Sequence, residues 1–108
     1  MSTDIADIAV KGGVLVNSQG LEKSDIFIKD GVVDSIETGK SKRSADKIID
    51  AAGKFVFPGI IDAHMHPVYA DRIDTLSQAA VHGGITTLIP FIGAIKAWGK
   101  TGDLFDAV

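Results

Sequence analysis

Pro58-Gly59-Ile60-Ile61-Asp62-Ala63-His64-Met65-His66-Pro67 is the stretch on which the reading of this chain turns. Its apolar run, bounded by Pro-Gly on one side and Pro on the other, has the length of a buried strand over 60–66. Side chains at i and i+2 of an extended strand point to one face, so His64 and His66 should project together as two prongs. Such a pair is a candidate for metal ligation through ring nitrogens. The His-x-His spacing alone is weak evidence. Its position at the end of a buried strand, behind Pro-Gly and Asp62, gives it weight.

Downstream of this stretch the apolar spacing changes from strand to helix, with Ile73, Leu76 and Ala80 on one face. Asp71 is placed to cap the helix start and Gly83 to cap its end. Ile85-Thr86-Thr87-Leu88-Ile89, rich in β-branched residues, then reads as a second strand ending at Pro90. Strand, helix and strand within about 30 residues predict a βαβ unit with parallel strands. Residues 101–108 read as the beginning of another helix, capped by Thr101 or Asp103. A two-stranded parallel sheet leaves an edge unpaired and apolar surface uncovered. A complete parallel barrel needs eight such units and about 250 residues. The expectation is therefore that Val108 marks a truncation or that the chain self-associates as a homo-oligomer.

Upstream the pattern is antiparallel β. Strand-like pieces fall at 13–16, 25–29 and 32–36, and Asp30-Gly31 between the last two signals a tight hairpin. The polar, basic stretch 38–47 reads as a solvated surface linker, with phosphate binding the lesser alternative. Two short runs, 47–50 and 54–57, flank Ala51-Ala52-Gly53 and suggest a small antiparallel pair. The fold class read from this pattern is mixed β and α/β, with a β segment over 1–57 and an α/β segment over 58–108.

Composition narrows the function classes. With 45% hydrophobic residues in 108, the chain can bury a core. A net charge of -3 with interspersed signs argues against nucleic acid or an anionic membrane as the main partner and favours a small molecule. Having no cysteine, the chain must bind any metal through nitrogen and oxygen. The first ten residues carry Asp4 and Asp7 and do not read as a signal peptide. No run approaches the roughly 20 apolar residues of a membrane span, so the cytoplasm is the expected location.

The stretch from Pro58 to His66 resembles the signature that opens the metal-dependent amidohydrolase superfamily, and Gly83-Gly84-Ile85-Thr86-Thr87-Leu88 resembles the segment that follows it. Gly12-Gly13-Val14-Leu15-Val16-Asn17, Asp25-Ile26-Phe27-Ile28-Lys29-Asp30-Gly31 and Ile49-Asp50-Ala51-Ala52-Gly53-Lys54 resemble strands of its dihydropyrimidinase, hydantoinase and allantoinase branch. The resemblance implies N-terminal β-sandwich strands followed by the first βαβ portion of a TIM-like barrel, the barrel being incomplete. It implies hydrolysis of a carbon–nitrogen bond in a cyclic amide, with one or two divalent ions, commonly zinc, activating water. His64 and His66 would hold the more buried ion. Asp62 would be a hydrogen-bond acceptor that orients a ligand, or else a structural acceptor near the strand start. The family's bridging carboxylated lysine, its later histidines and its catalytic aspartate have no matching motif here, and neither Lys96 nor Lys100 is assigned the bridging role. The 108 residues alone are therefore expected to be inactive.

Other candidates carry less. His82, at the predicted helix end, is better explained by the helix dipole than as a third ligand. Tyr69 and Trp98 are read as packing, and Thr86 and Thr87 as strand formers. Val68 stands where dihydroorotase-like members carry an arginine, which favours hydantoin-like or dihydropyrimidine-like rings. Two other classes compete with the hydrolase. One is a non-catalytic or truncated protein of the same fold that acts by association. The other is a small metal module in which His64 and His66 of two chains complete four ligands.

Overall fold

β-branched residues at Ile8, Val10, Val14 and Val16 carry the longest strand, β1 (Ala6–Asn17), of the computed structural model, which describes residues 5–67 and 72–91. β2 (Gly20–Lys29) and β3 (Val32–Thr38) continue from it as an antiparallel meander. The Asp30-Gly31 hairpin is as expected: both residues lie at positive φ, 50° and 77°, as a two-residue turn matched to strand twist requires. An Asp7 carboxylate oxygen accepts the Asp30 N–H at 2.8 Å and ties this turn back to β1.

The rest of the first unit, Met1–Pro58, corrects three sequence expectations. β1 is far longer than 13–16. The runs expected to form an antiparallel pair are instead β4 (Ala45–Asp50) and β5 (Phe55–Val56), both parallel to β1. They lie end to end along the β1 edge that β2 leaves open, giving the order β3-β2-β1-β4 with β5 also on β1. The Ala51-Ala52-Gly53 turn does not reverse the chain. It steps past an irregularity in β1, where the register against β2 shifts between Val10 and Gly13 and Gly12 takes a φ of 76°. Ala51 N–H donates to the Lys11 carbonyl at 2.8 Å and Val14 N–H to the Lys54 carbonyl at 2.9 Å, so pairing resumes on either side. Gly13 must lack a side chain, because a Cβ there would sit 2.6 Å from Val56 Cγ2. All five strands belong to one sheet among the described residues.

The third correction concerns the bounds of the polar stretch 38–47: Thr38 ends β3 and 45–47 begin β4, while 39–44 form the surface loop that was expected, strapped to the sheet. Asp25, 4% exposed, accepts the N–H of Gly12 at 2.9 Å and of Ser41 at 3.1 Å. Lys11 Nζ donates to the carbonyls of Ser41 and Arg43. Arg43 pairs with Asp34 and donates to Ser35 Oγ. Both cations also lie over the Phe27 ring, at 5.4 and 5.1 Å from its centroid. Beneath them Phe27, Ala6 and Ala9 form a fully buried core, with Ala45 packed against it.

The second unit, Gly59–Val108, contains β6 (Ile60–Met65), α1 (Ile73–His82) and β7 (Ile85–Pro90). The two strands are parallel, as the βαβ reading requires. Ile73, Leu76 and Ala80, the positions assigned to one helix face, are half-buried, while the helix residues between them are exposed. The cap differs from expectation. Arg72 occupies the N-cap position without a side-chain cap bond, and Asp71 lies outside the described residues. Asp74 serves the first turn instead: its carboxylate accepts the Thr75 N–H at 2.9 Å and faces Arg72, and these two contacts hold its carboxyl below the usual carboxylate range. Gly83 is the C-cap as expected, but the left-handed residue is Gly84, at φ 83°. The helix of 101–108 also lies outside the described residues.

Although β6 forms where expected, Ile60 and Ile61 are 56% and 62% exposed among the described residues, and the strand ends one residue before His66. Gly59, just before the strand, lies close against β7, since an added Cβ would lie 2.7 Å from Thr86 Cβ and nearer still to that side chain's outer atoms. Gly59→Ala is expected to cost about 1–3 kcal/mol through overpacking. Urea melting would show it, with a smaller loss in a Thr86→Ala background because part of the clash is gone. Equal melting of Gly59→Ala and wild type would refute the close approach.

Candidate metal centre

Strand β6 carries Asp62 and His64, and His66 follows directly after its end. The alternation argument holds for the histidines: His64 Nε2 and His66 Nε2 converge to 2.8 Å, with ring centroids 4.7 Å apart and planes at 72°. That is hydrogen-bond distance, with the donor set by which ring nitrogen carries the proton. The same two atoms suit a cation. Nitrogens held at about 2.0–2.1 Å from zinc in a tetrahedral shell lie about 3.3 Å apart, so the rings need open by only about half an ångström. His64 is exposed and His66 half-buried.

Asp62 is half-buried, and its Oδ1 accepts the backbone N–H of His64 at 3.2 Å. It also lines an open groove of about 280 Å³ with Met65 and His66, whose apolar side is formed by Leu76, Ala79 and Leu88. The ring of Phe91 lies 5.2 Å from that of His66, and its N–H donates to the Met65 carbonyl at 2.7 Å. Sequence reasoning missed Phe91. The parallel pairing of β6 and β7 was its signal, because the residue after Pro90 must fall beside the residue after Met65.

Two ring nitrogens make half of a tetrahedral zinc shell. Among the described residues no group of three or more His, Cys, Asp or Glu side chains gathers as a metal site. His82 ends α1 and is exposed. Val68, Tyr69, Lys96, Trp98 and Lys100 lie outside the described residues. Thr86 packs its side chain toward Gly59, which accounts for it structurally. No described helix is long and apolar enough to cross a membrane.

By its similarity to hydantoinases and a dihydropyrimidinase over most of its length, the chain belongs to the amidohydrolase superfamily. Within it, the similarity is to the N-terminal part of hydantoinases and dihydropyrimidinases. An L-hydantoinase of Paenarthrobacter aurescens is 43% identical over 89 residues, which are 77% of this chain and 19% of that protein. A D-hydantoinase of Ralstonia pickettii is 40% identical over 92 residues, 79% of this chain and 20% of that protein. The solved L-hydantoinase (dihydropyrimidinase) from Arthrobacter aurescens matches with a TM-score of 0.71 at 39% identity, over 83% of this chain and 22% of its own. The chain thus spans about a fifth of the length of the relatives it matches. No family model matches it.

Proposed function

We propose that this chain is the opening portion of a metal-dependent hydrolase that cleaves a carbon–nitrogen bond in a cyclic amide, and that His64 and His66 are two of its metal ligands. The observation that carries the reading is the 2.8 Å convergence of the two Nε2 atoms at the C-terminal end of a parallel strand, where barrel enzymes build their sites. In this reading β6–α1–β7 is the first βαβ portion of a TIM-like barrel, and the exposed Ile60 and Ile61 are surfaces that further strands would cover. A bound divalent ion, for which zinc is the first candidate, would supply the Lewis acidity that makes water nucleophilic near neutral pH and polarises the amide carbonyl.

This chain's own contribution is to bind and orient. His64 and His66 each present Nε2, Phe91 packs against the His66 ring, and Asp62 holds the backbone N–H of His64. The names of the relatives favour hydantoin-like or dihydropyrimidine-like rings as substrates. The described residues by themselves are assigned no turnover, since among them two imidazoles leave a catalytic zinc shell short of its usual three protein ligands. The test is ring opening of hydantoin and dihydrouracil by the intact protein, before and after chelation. Hydrolysis lost with the metal and restored by zinc supports the reading, and hydrolysis indifferent to chelation, or none with metal bound, overturns it.

A further inference from the structure

Strand β6 is not regular where it carries the first histidine. Asp62 pairs with Leu88 and Met65 with Pro90, so three steps along β6 match two along β7, and the extra residue falls in Ala63–His64. Such a bulge bends its strand and re-aims the side chains around it. The His64 N–H lies within this step, and it is the group that Asp62 Oδ1 accepts at 3.2 Å. Asp62 reaches the histidine pair through the main chain: its carboxylate accepts the His64 amide N–H, and the rings of His64 and His66 meet beyond it.

We infer that Asp62 is a positioning residue that pins the Ala63–His64 bulge through the His64 backbone N–H and thereby sets the separation of the two Nε2 atoms. The inference rests on the reading of His64 and His66 as metal ligands. What it requires of residue 62 is a short side chain with an oxygen acceptor. A negative charge is not required. Asparagine keeps that oxygen in the same place, whereas alanine removes it.

The experiment compares Asp62→Asn, Asp62→Ala and His64→Ala in the intact protein. It measures Co²⁺ and Zn²⁺ affinity by chelator competition and the visible absorption of the Co²⁺ form. Asp62→Asn should bind within about threefold of wild type with an unchanged Co²⁺ spectrum. Asp62→Ala should bind about 10–100-fold more weakly, the usual range for a group that orients a ligand, with a shifted spectrum. A purely structural role would lower the melting temperature and leave the spectrum of the folded protein unmoved. If Asp62→Asn loses metal as far as Asp62→Ala does, the carboxylate acts by charge and the inference falls. It falls equally if Asp62→Ala folds and binds with wild-type affinity and spectrum. Should His64→Ala leave metal binding intact, the ligand reading itself fails, and that outcome is distinguishable because it does not depend on residue 62.

Discussion

His64→Ala is expected to weaken zinc binding by the intact protein roughly 100-fold to 1000-fold. A structural zinc site contributes about 10–16 kcal/mol in total, so each of four ligands carries roughly 3 kcal/mol, and each 1.4 kcal/mol is a factor of ten. His66→Ala should fall in the same range, because the two Nε2 atoms stand in equivalent positions 2.8 Å apart. Melting in the presence of a chelator should separate the two effects. His64 is an exposed side chain, so its loss should hardly change the metal-free protein. His66 also contacts the Phe91 ring, so its loss should lower metal-free stability modestly. Competition with a chromophoric chelator measures the affinities. Values within threefold of wild type for both variants would remove these histidines from the metal site.

The second large effect is expected away from that site. Asp25→Ala should destabilise the protein by about 2–5 kcal/mol, because the N–H groups of Gly12 and Ser41 lose a buried carboxylate and each unsatisfied buried donor costs about 1–3 kcal/mol. That is a large share of the roughly 5–15 kcal/mol that holds a typical domain together. Asp25→Asn retains one oxygen and turns an NH2 group toward the other donor, so its loss should be intermediate. Urea denaturation gives both numbers. A loss below about 0.5 kcal/mol for Asp25→Ala would mean that residues 39–44 are not held to the sheet by this carboxylate.

What could be read in advance followed from local chemistry. Asp30-Gly31 announces its turn because few dipeptides accept positive φ at both positions. Ile73, Leu76 and Ala80 announce the inward face of α1 because a helix repeats every 3.6 residues. The histidine pair is legible for the same reason, through strand alternation. What stayed hidden was non-local. Ala6 and Ala9 are weak strand formers, and they belong to β1 because Phe27 and Ala45 bury them. The direction of β4 and β5 depends on which edge of β1 is vacant, and no local pattern in 45–57 records that. Asp25 read as an ordinary member of β2, since its two partners lie 13 and 16 residues away. An acceptor role for Asp62 was expected, but the bulge in β6 depends on the spacing of β7, so its route to His64 through the main chain emerged only with the pairing.

The central place of β1 has a consequence for how the first unit comes apart. It pairs with β2, β4 and β5, and the remaining strand contact is β2 with β3. Fraying of β3 can therefore occur alone, but any opening of β1 disconnects three neighbours in one event. The unit has a single keystone, and its partial unfolding is confined to the edge strands, β3 on one side and β4 and β5 on the other. Amide exchange should accordingly find the Val10 and Val14 N–H groups protected to the level of global unfolding, with those of Val33 and Ile36 released well below it. Sequence change in β1 is constrained on the same ground, since Ile8, Ala9, Val10, Val14 and Leu15 answer to neighbours on both of its edges.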